Sequence, residues 1–348
     1  MNSPPAVSVI TPTKNRIALL RETMDSVRCQ AFEDWEHIVV DDGSDDGTAE
    51  EVRQRAAGDS RIRYIHRTGS KSGANVCRNL GLREARADLI VFLDSDDLLR
   101  PESLRRRVDA MCHNQNLDFA VFQATIFKNA PDDLGMIYHP QMPGDDLLRF
   151  LSLECVWQTT GPVWRRAFLE KIGGFDEDLL SMQDLELHVR ALAARGTYVY
   201  FRGPDHDIRS HEDAARTSTR HFNDPAYIEA GERVRDRVFK AVKTAGLLTW
   251  SRQRAVQGLS FGFAESWLKA GRAGQARKTW NEGCRRHGAP LHLRLLGLAM
   301  LQLLRYAPSD GGLVFRLVNK WKGWVRFRQE PNLMTPEYAG LQASQTQI

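Results

Sequence analysis

This chain of 348 residues lacks a pattern of paired cysteines. Its five cysteines are odd in number, widely scattered and without a CxxC pair, which argues against a disulfide framework or a structural zinc site. No apolar run approaches the roughly 18 residues that would indicate a membrane span. The first residues also lack the basic segment and long apolar stretch of a secretion signal. We therefore expect a protein of the reducing cytosol.

Glycine-rich loops are also missing where two large classes of enzyme would need them. After the first predicted strand the chain runs Thr11-Pro12-Thr13-Lys14-Asn15-Arg16, which contains no glycine. A dinucleotide oxidoreductase would show GxGxxG at this point. A sugar nucleotidyltransferase would show a glycine-rich loop with Arg and Lys. The sequence therefore argues against both classes.

Charge is present but unevenly distributed. Residues 1–221 contain 28 Lys and Arg against 35 Asp and Glu, whereas residues 222–348 contain 20 against 9. From about Asn223 the apolar residues recur almost throughout at helical spacing, which predicts about five helices ending near Phe327. We therefore expect an acidic first part, a basic helical region over 222–330 and a flexible tail over 331–348.

The first part contains two acidic strand ends. The segments 37–44 and 89–97 each begin with β-branched and aromatic residues and end with several aspartates. Strand and helix signals alternate around them, which predicts a mainly parallel sheet whose strands carry ligands beyond their carboxyl ends. Carboxylates gathered there repel one another unless a cation shares the site. A divalent ion carrying a nucleotide diphosphate is the natural candidate. The polar stretch Pro204–Arg220 predicts an exposed loop.

An ordered set of segments resembles an inverting family 2 glycosyltransferase of the GT-A fold. The resemblance covers roughly residues 5–220 and implies a Rossmann-like α/β domain over residues 1–221, followed by the all-helical region. No single segment is specific, but the order and spacing are those of the family. The matching segments are VSVITPTKNR from Val7, VDDGSDDGT from Val40, RNLG from Arg78, LDSDD from Leu93, GGFDEDL from Gly173 and QDLEL from Gln183.

The resemblance implies a divalent metal, Mg²⁺ or Mn²⁺. In the family the later aspartate of the acidic pair contacts the metal, and the earlier one contacts the ribose or the metal. These roles fall on Asp96 and Asp94. His211 corresponds to a histidine that contacts the metal or the diphosphate. The alternative is that residues 94–97 form a solvated turn before a helix and that His211 is an ordinary surface residue.

The nucleotide pocket is implied in the same way. Asp42 would accept a hydrogen bond from the uracil N3–H, a donor that cytosine lacks, with Thr11, Pro12 and Asn15 shaping the pocket. Arg78 would pair with the nucleotide or the diphosphate. The alternative for Arg78 is a surface arginine, and Asp41 and Ser44 could merely close the turn.

The resemblance also assigns the role of general base to Asp184. Inverting transfer is a direct displacement, so the acceptor hydroxyl must lose its proton as it attacks. Relatives place an acidic pair here, whereas this chain has Gln183 before Asp184; the change bears on acceptor contacts. Trp157 would form part of the acceptor wall by stacking on a sugar ring, or it belongs to the core. Asp184 could also do no more than favour the positive end of its helix.

The basic carboxyl-terminal third has two interpretations. The apolar run Leu295–Leu304 is too short to span a bilayer, and residues 314–328 interleave aromatic and basic side chains. This composition is typical of helices on an anionic membrane surface, but it also suits a bundle packed on the first domain. The region shows no zinc-finger or RNP-like signal, so we expect no nucleic-acid partner.

Together these features predict a glycosyltransferase that moves a sugar, from a UDP-sugar by resemblance, onto a carbohydrate or lipid-linked acceptor during surface polysaccharide or lipopolysaccharide assembly. Its expected place is the cytoplasm, with peripheral attachment to the inner face of the membrane as the further option. The alternative is a catalytically degenerate sugar-nucleotide-binding or scaffolding member of the same fold. No signature in the sequence identifies the donor sugar or the acceptor.

Overall fold

The computed structural model describes residues 3–138, 141–142, 144–210, 224–306 and 333–334. The strands are β1 (Val7–Thr13), β2 (Trp35–Asp41), β3 (Ile62–His66), β4 (Leu89–Phe92), β5 (Leu98–Leu99), β6 (Phe119–Phe127), β7 (Met136–Tyr138), β8 (Pro162–Arg165), β9 (Tyr198–Arg209) and β10 (Leu333–Met334). The helices are α1 (Ile17–Arg28), α2 (Thr48–Gly58), α3 (Ala74–Glu84), α4 (Ser103–His113), α5 (Asp146–Leu151), α6 (Arg166–Ile172), α7 (Gln183–Ala193), α8 (Pro225–Thr244), α9 (Trp250–Lys269), α10 (Ala273–Arg286) and α11 (Leu291–Tyr306).

Four parallel strands in the order β4-β1-β2-β3 form one half of the sheet. The strands β1, β2 and β4 are buried along their whole length, as their apolar runs predict for strands covered on both faces. Ile10 of β1 is in register with Ile38 of β2 and Phe92 of β4. Because these strands run in the same direction, their carboxyl ends meet at one edge of the sheet.

The other half of the sheet is mixed. Strand β8 lies antiparallel between β4 and β6, and β9 pairs with β6 in parallel. The predicted loop over Pro204–Arg220 is wrong in its first part, since residues 204–209 belong to β9 and Asp205 to Arg209 are buried. Their charges are matched inside the protein: Arg107 of α4 donates to both carboxylate oxygens of Asp205, at 2.8 and 2.9 Å.

The helical region packs directly on the sheet domain. Phe92 of β4 and Leu187 of α7 belong to the same buried apolar cluster as Val234 of α8 and Trp267 of α9. A second cluster lies among β1, β2, β4, α1 and α4. Residues 224–306 contain four helices, so the expected helical region is confirmed there, and the packing supports the bundle interpretation for this part. Within the described residues, no helix is both long and apolar enough to cross a membrane.

Candidate active site

A cleft of about 590 Å³ opens where β1, β2 and β4 end. The turn after β1, the first residues of α3, the loop after β4 and the start of α7 contribute to its walls. The residues predicted from sequence that line it are Pro12, Asn15, Asp42, Arg78, Asp94, Asp96, Gln183 and Asp184. The fold therefore brings together side chains from five separated segments of the chain.

Asp94 and Asp96 follow β4, and each is paired with an arginine. Arg78 Nη2 donates to Asp94 Oδ1 at 2.6 Å, and Arg16 Nη1 donates to Asp96 Oδ2 at 2.7 Å. The side chains of Arg78 and Asp96 are only 4% and 11% exposed, so water screens these charges weakly. The arginines offset the repulsion that two neighbouring carboxylates would otherwise suffer.

Asp97, the next carboxylate, anchors the loop. Its side chain accepts hydrogen bonds from Gln158 Nε2 at 3.2 Å, Thr160 Oγ1 at 3.3 Å and the backbone N–H of Arg209 at 3.2 Å. Arg209 Nε in turn donates to the backbone carbonyl of Asp96 at 3.1 Å. These contacts hold the acidic loop against β9 and so orient the carboxylates that face the cleft.

Asp94 and Asp96 fit a Mg²⁺ or Mn²⁺ ion of the kind that is bound by one or two carboxylates together with substrate phosphates. Their oxygens are the hard ligands that these ions prefer. Among the described residues, no cluster of three or more His, Cys, Asp and Glu side chains is arranged to hold a metal by itself. His211, the third ligand predicted from sequence, lies outside the described residues.

Asp41 and Asp42 at the end of β2 have different partners. Asp41 Oδ1 accepts from the backbone N–H of Ser44 at 2.9 Å and from its hydroxyl at 2.5 Å, which closes the turn. Asp42 lines the cleft, where it is ion-paired with Arg67 and accepts from the backbone N–H of Gly73 at 2.9 Å. The structure therefore assigns the turn to Asp41 and leaves Asp42 at the cleft.

Helix α3, which lines the cleft, is hydrogen-bonded to the glycine-rich turn that precedes α7. Asn79, next to Arg78, donates from Nδ2 to the carbonyl of Phe175 at 2.8 Å and accepts from the N–H of Phe175 at 2.9 Å. Gly174 beside it has φ +62°, and a Cβ there would lie 2.7 Å from Asn79 Oδ1. Two of the segments that carry the resemblance are therefore in direct contact, which places α7 relative to Arg78.

Asp184 lies in the first turn of α7 and lines the cleft. Its Oδ1 accepts a hydrogen bond from the backbone N–H of Leu185 at 2.8 Å. Burial raises the pKa of Asp184; the Leu185 hydrogen bond and the charge of Arg78 oppose the rise, and the charge of Asp94 adds to it. A carboxylate with a raised pKa is a stronger proton acceptor than an ordinary one.

Sequence reasoning missed several side chains of the cleft. They include Thr13, Lys14, Arg16, Tyr138, Gln158 and Met182. Lys14 and Arg16 lie within one of the matching segments, so a signal for them was present. Tyr138, on the short strand β7, had none. Tyr138 lines the same cleft as Asp184. Burial raises the pKa of Tyr138, and the nearby Cys155 and the charge of Asp184 add to the rise.

Two predicted residues lie away from the cleft. Thr11 is fully buried, with its hydroxyl 2.9 Å from His37 Nε2 within the sheet. Trp157 is 3% exposed, and its ring packs against Phe150 with 4.8 Å between ring centroids. These positions correct the predicted pocket and acceptor-wall roles of the two side chains, because both belong to the buried interior. Of the two interpretations of Trp157, the structure supports the core.

Comparison with known proteins identifies relatives of this half of the chain. Residues 8–170 match the family model described as Glycosyl transferase family 2. The chain is 39% identical over 156 residues to the putative teichuronic acid biosynthesis glycosyltransferase TuaG of Bacillus subtilis, which covers 44% of this chain and 62% of that protein. It is 42% identical over 95 residues to the GalNAc(5)-diNAcBac-PP-undecaprenol beta-1,3-glucosyltransferase of Campylobacter jejuni, a match that covers 27% of this chain and 31% of that protein. The chain thus spans less than two thirds of these relatives.

A solved structure resembles nearly the whole chain. The crystal structure of S. aureus TarS 1-349 in complex with UDP-GlcNAc superimposes with a TM-score of 0.64 at 18% identity, covering 93% of this chain and 92% of that one. At this identity the likeness concerns the fold alone. It confirms the predicted GT-A-type α/β domain followed by a helical region.

Proposed function

Residues 8–170 match the model of glycosyl transferase family 2, and on that premise we propose that this chain is a metal-dependent inverting glycosyltransferase of that family. One observation carries the proposal: Asp94, Asp96 and Asp184, far apart in the sequence, line one cleft together with Arg16 and Arg78. A volume of about 590 Å³ lies within the range of small-molecule sites. We propose residues 1–221 as the catalytic part; the helical region that follows is seen over the described residues 224–306.

The donor is a nucleotide-sugar, and we propose a UDP-sugar. Arg16 and Arg78 supply positive charge for the diphosphate, because guanidinium groups form strong charge-assisted hydrogen bonds with phosphate oxygens. Asp42 faces the same cleft and retains acceptor capacity beside its Arg67 and Gly73 contacts. It would accept the N3–H of uracil.

Asp94 and Asp96 would hold Mg²⁺ or Mn²⁺. When bound, the ion offsets the negative charge that develops on the departing diphosphate. Arg16 and Arg78, which pair with these carboxylates, line the same cleft and would contact the phosphate oxygens of the donor. His211 is proposed as a further contact to the metal or diphosphate.

Asp184 acts as the general base. The acceptor oxygen attacks the anomeric carbon of the sugar, and its proton passes to a carboxylate oxygen of Asp184. The bond between the anomeric carbon and the diphosphate oxygen breaks, and its electron pair leaves with the diphosphate. The anomeric configuration inverts because attack and departure occur on opposite sides. Gln183, beside the base at the cleft, is proposed to contact the acceptor.

The relatives suggest a setting, although this chain spans only part of them. Their names refer to teichuronic acid biosynthesis and to an undecaprenol-linked glycan. We propose a carbohydrate or lipid-linked acceptor used in cell-surface polysaccharide assembly, and a place in the cytoplasm at the inner face of the membrane. A degenerate sugar-nucleotide-binding or scaffolding protein is the second candidate, favoured by the amide at Gln183.

The test is a donor screen that measures the nucleotide diphosphate released from UDP-, GDP- and dTDP-sugars with Mn²⁺, using the intact chain and Asp184→Asn. We expect release from UDP-sugars and a loss of about 10²-fold or more in the variant. Donor affinity should stay nearly unchanged, since Asp184 acts on the acceptor. Full turnover by Asp184→Asn would refute the base, and donor binding without turnover in the intact chain would favour the degenerate candidate.

A control separates loss of the base from loss of folding. Because the pKa of Asp184 is raised in the folded state, its ionised form lowers the free energy of unfolding as pH rises through that pKa. The Asn variant carries no such charge. Its Tm at neutral pH should therefore be no lower than that of the intact chain.

A further inference from the structure

Helix α11 presents leucines to solvent along one side. Its inner side is packed: Leu301 is buried, and a Cβ at Gly297 would lie 2.3 Å from the ring of Trp280. The opposite side carries Leu291, Leu295, Leu296 and Leu303, which are 67%, 57%, 38% and 40% exposed. A single exposed leucine is ordinary, but four on one side of a 16-residue helix form a patch of the kind that marks an interaction surface.

Trp250 is a further exposed apolar side chain of the helical region. It begins α9 and is 65% exposed, a large fraction for the largest apolar side chain. Gln253, one turn further along α9, donates to the carbonyl of His287 at 2.7 Å, shortly before α11 begins at Leu291. The first turn of α9 is thus hydrogen-bonded to the end of α10, four residues before α11 begins with Leu291.

Basic side chains are exposed on the helix that neighbours α11. Helix α10 packs against α11, and its exposed positions include Arg277, Lys278 and Arg285, which share one side of the helix. Residues 224–306 as a whole contain 15 Lys and Arg against 6 Asp and Glu. The apolar patch therefore lies in a strongly cationic part of the molecule.

We propose that this surface, made by the exposed side of α11 with Trp250 and the basic side of α10, docks on an anionic lipid bilayer. Amphipathic helices with leucine and tryptophan on one side and Lys and Arg beside it insert their apolar side at the headgroup level. The 16 residues of α11 measure about 24 Å, which is shorter than the hydrocarbon core of about 30 Å. Because its inner side is packed on the protein, the helix would lie along the membrane plane. The inference rests on the proposed function for its purpose, an acceptor presented at a membrane.

Two protein occupants of the patch are a second copy of the chain and residues 307–332 of the same chain. Their charge makes both less suitable than an anionic bilayer. A symmetric second copy would place the same cationic surface against itself. Residues 307–332, which continue from α11 along the chain, contain five Lys and Arg against one Asp and one Glu, so they too would bring like charge to like charge. Anionic headgroups, by contrast, attract every one of these cations.

The experiment is vesicle flotation of the full chain. We expect it to float with vesicles of equal parts phosphatidylcholine and phosphatidylglycerol, and not with phosphatidylcholine alone. Leu295→Glu combined with Leu303→Glu should reduce the bound fraction about tenfold or more, because two apolar contacts are replaced by charges that the headgroups repel. Leu134→Glu is the matched control, since Leu134 is an exposed leucine of the sheet domain at 37%; it should float like the intact chain. Arg277→Glu with Lys278→Glu should also reduce binding.

Several results would overturn the proposal. They are no flotation of the intact chain, equal flotation with neutral vesicles, or unchanged flotation of the double leucine variant. A dimer in light scattering that Leu295→Glu dissociates would assign the patch to a second copy. A fall in Tm of the double leucine variant with unchanged flotation would show that residues 307–332 cover the patch.

Failure of membrane docking can be distinguished from failure of the proposed glycosyltransferase activity. Release of nucleotide diphosphate from the soluble donor should be the same in the double leucine variant as in the intact chain, because the patch contributes no residue to the cleft. Asp184→Asn should float normally while it loses turnover. Loss of both properties in one of these variants would point to misfolding, which Tm reports directly.

Discussion

Asp184 sits in a buried position near the negative charge of Asp94, and its pKa is raised although Arg78 and the Leu185 N–H oppose the rise. The transfer step requires the ionised carboxylate, so activity should increase as pH rises through this raised pKa. We expect the acidic limb of the kcat profile to lie above the ordinary aspartate value of about 3.9. A limb at or below that value, measured in the transfer reaction, would contradict the assignment of the base.

Residues of the cleft differ in how far their roles were visible in the sequence. Asp94, Asp96 and Asp184 were predicted to share a site, and all three line the cleft. Tyr138 was not foreseen, because β7 is three residues long and belongs to no matching segment. It lines the cleft with Asp184 because β7 pairs with β6, where Tyr138 lies opposite Ala124.

At the scale of elements, the approach of α3 to the sheet decides where the cleft lies. Gly81 of α3 faces β1, and a Cβ there would meet Ile10 Cγ2 at 2.4 Å and Val40 Cγ2 at 3.3 Å. Both neighbours are fully buried and β-branched, so neither can turn away easily. The glycine of the segment that begins at Arg78 is therefore explained by packing of the helix on the sheet.

Gly81→Ala should reduce the free energy of unfolding by about 1–3 kcal/mol, the usual cost of overpacking a core. Gly274→Ala is the matched control, since Gly274 lies in α10 with no atom within 4 Å of the added methyl group. It should be neutral or stabilise by about 0.5–1 kcal/mol, because alanine favours helix. Urea denaturation measures both; equal effects at the two positions would show that close packing at Gly81 is not decisive.

Strand β9 shows how a buried charge misleads prediction from sequence. Asp205, His206 and Asp207 are polar, and their run predicts an exposed loop. In the fold Asp205 pairs with Arg107, and Asp207 pairs with Arg100 at 2.7 Å. The partners come from α4 and the residues just before it, so the neutralising charges lie about a hundred residues away.

At the scale of the molecule, the sheet domain and residues 224–306 share one apolar cluster. Phe263 of α9 is 1% exposed, and its ring lies against Gly231 of α8, where Met182, just before Asp184, also approaches. The helical region therefore supports the segment that carries the candidate base, and the two parts should unfold together.

Calorimetry should accordingly show a single unfolding transition. Phe263→Ala should lower the Tm of that one transition, because loss of a buried phenylalanine costs about 3–5 kcal/mol. Leu291→Ala, at a position 67% exposed, should leave Tm within the small effect of a surface change. Two transitions, of which only one responds to Phe263→Ala, would show that the parts fold independently.

The sequence by itself determined the α/β domain, its acidic strand ends and the helical region, because apolar runs and helical spacing are local properties that neighbouring residues carry. It also indicated the carboxylates of the cleft, through the acidic strand ends and through the resemblance of the ordered segments to the family. Only the tertiary structure decided that Arg16 and Arg78 pair with them, that Trp157 lies in the core, and that α11 leaves its leucines exposed. Those outcomes depend on which distant segments meet, and local pattern does not encode such encounters.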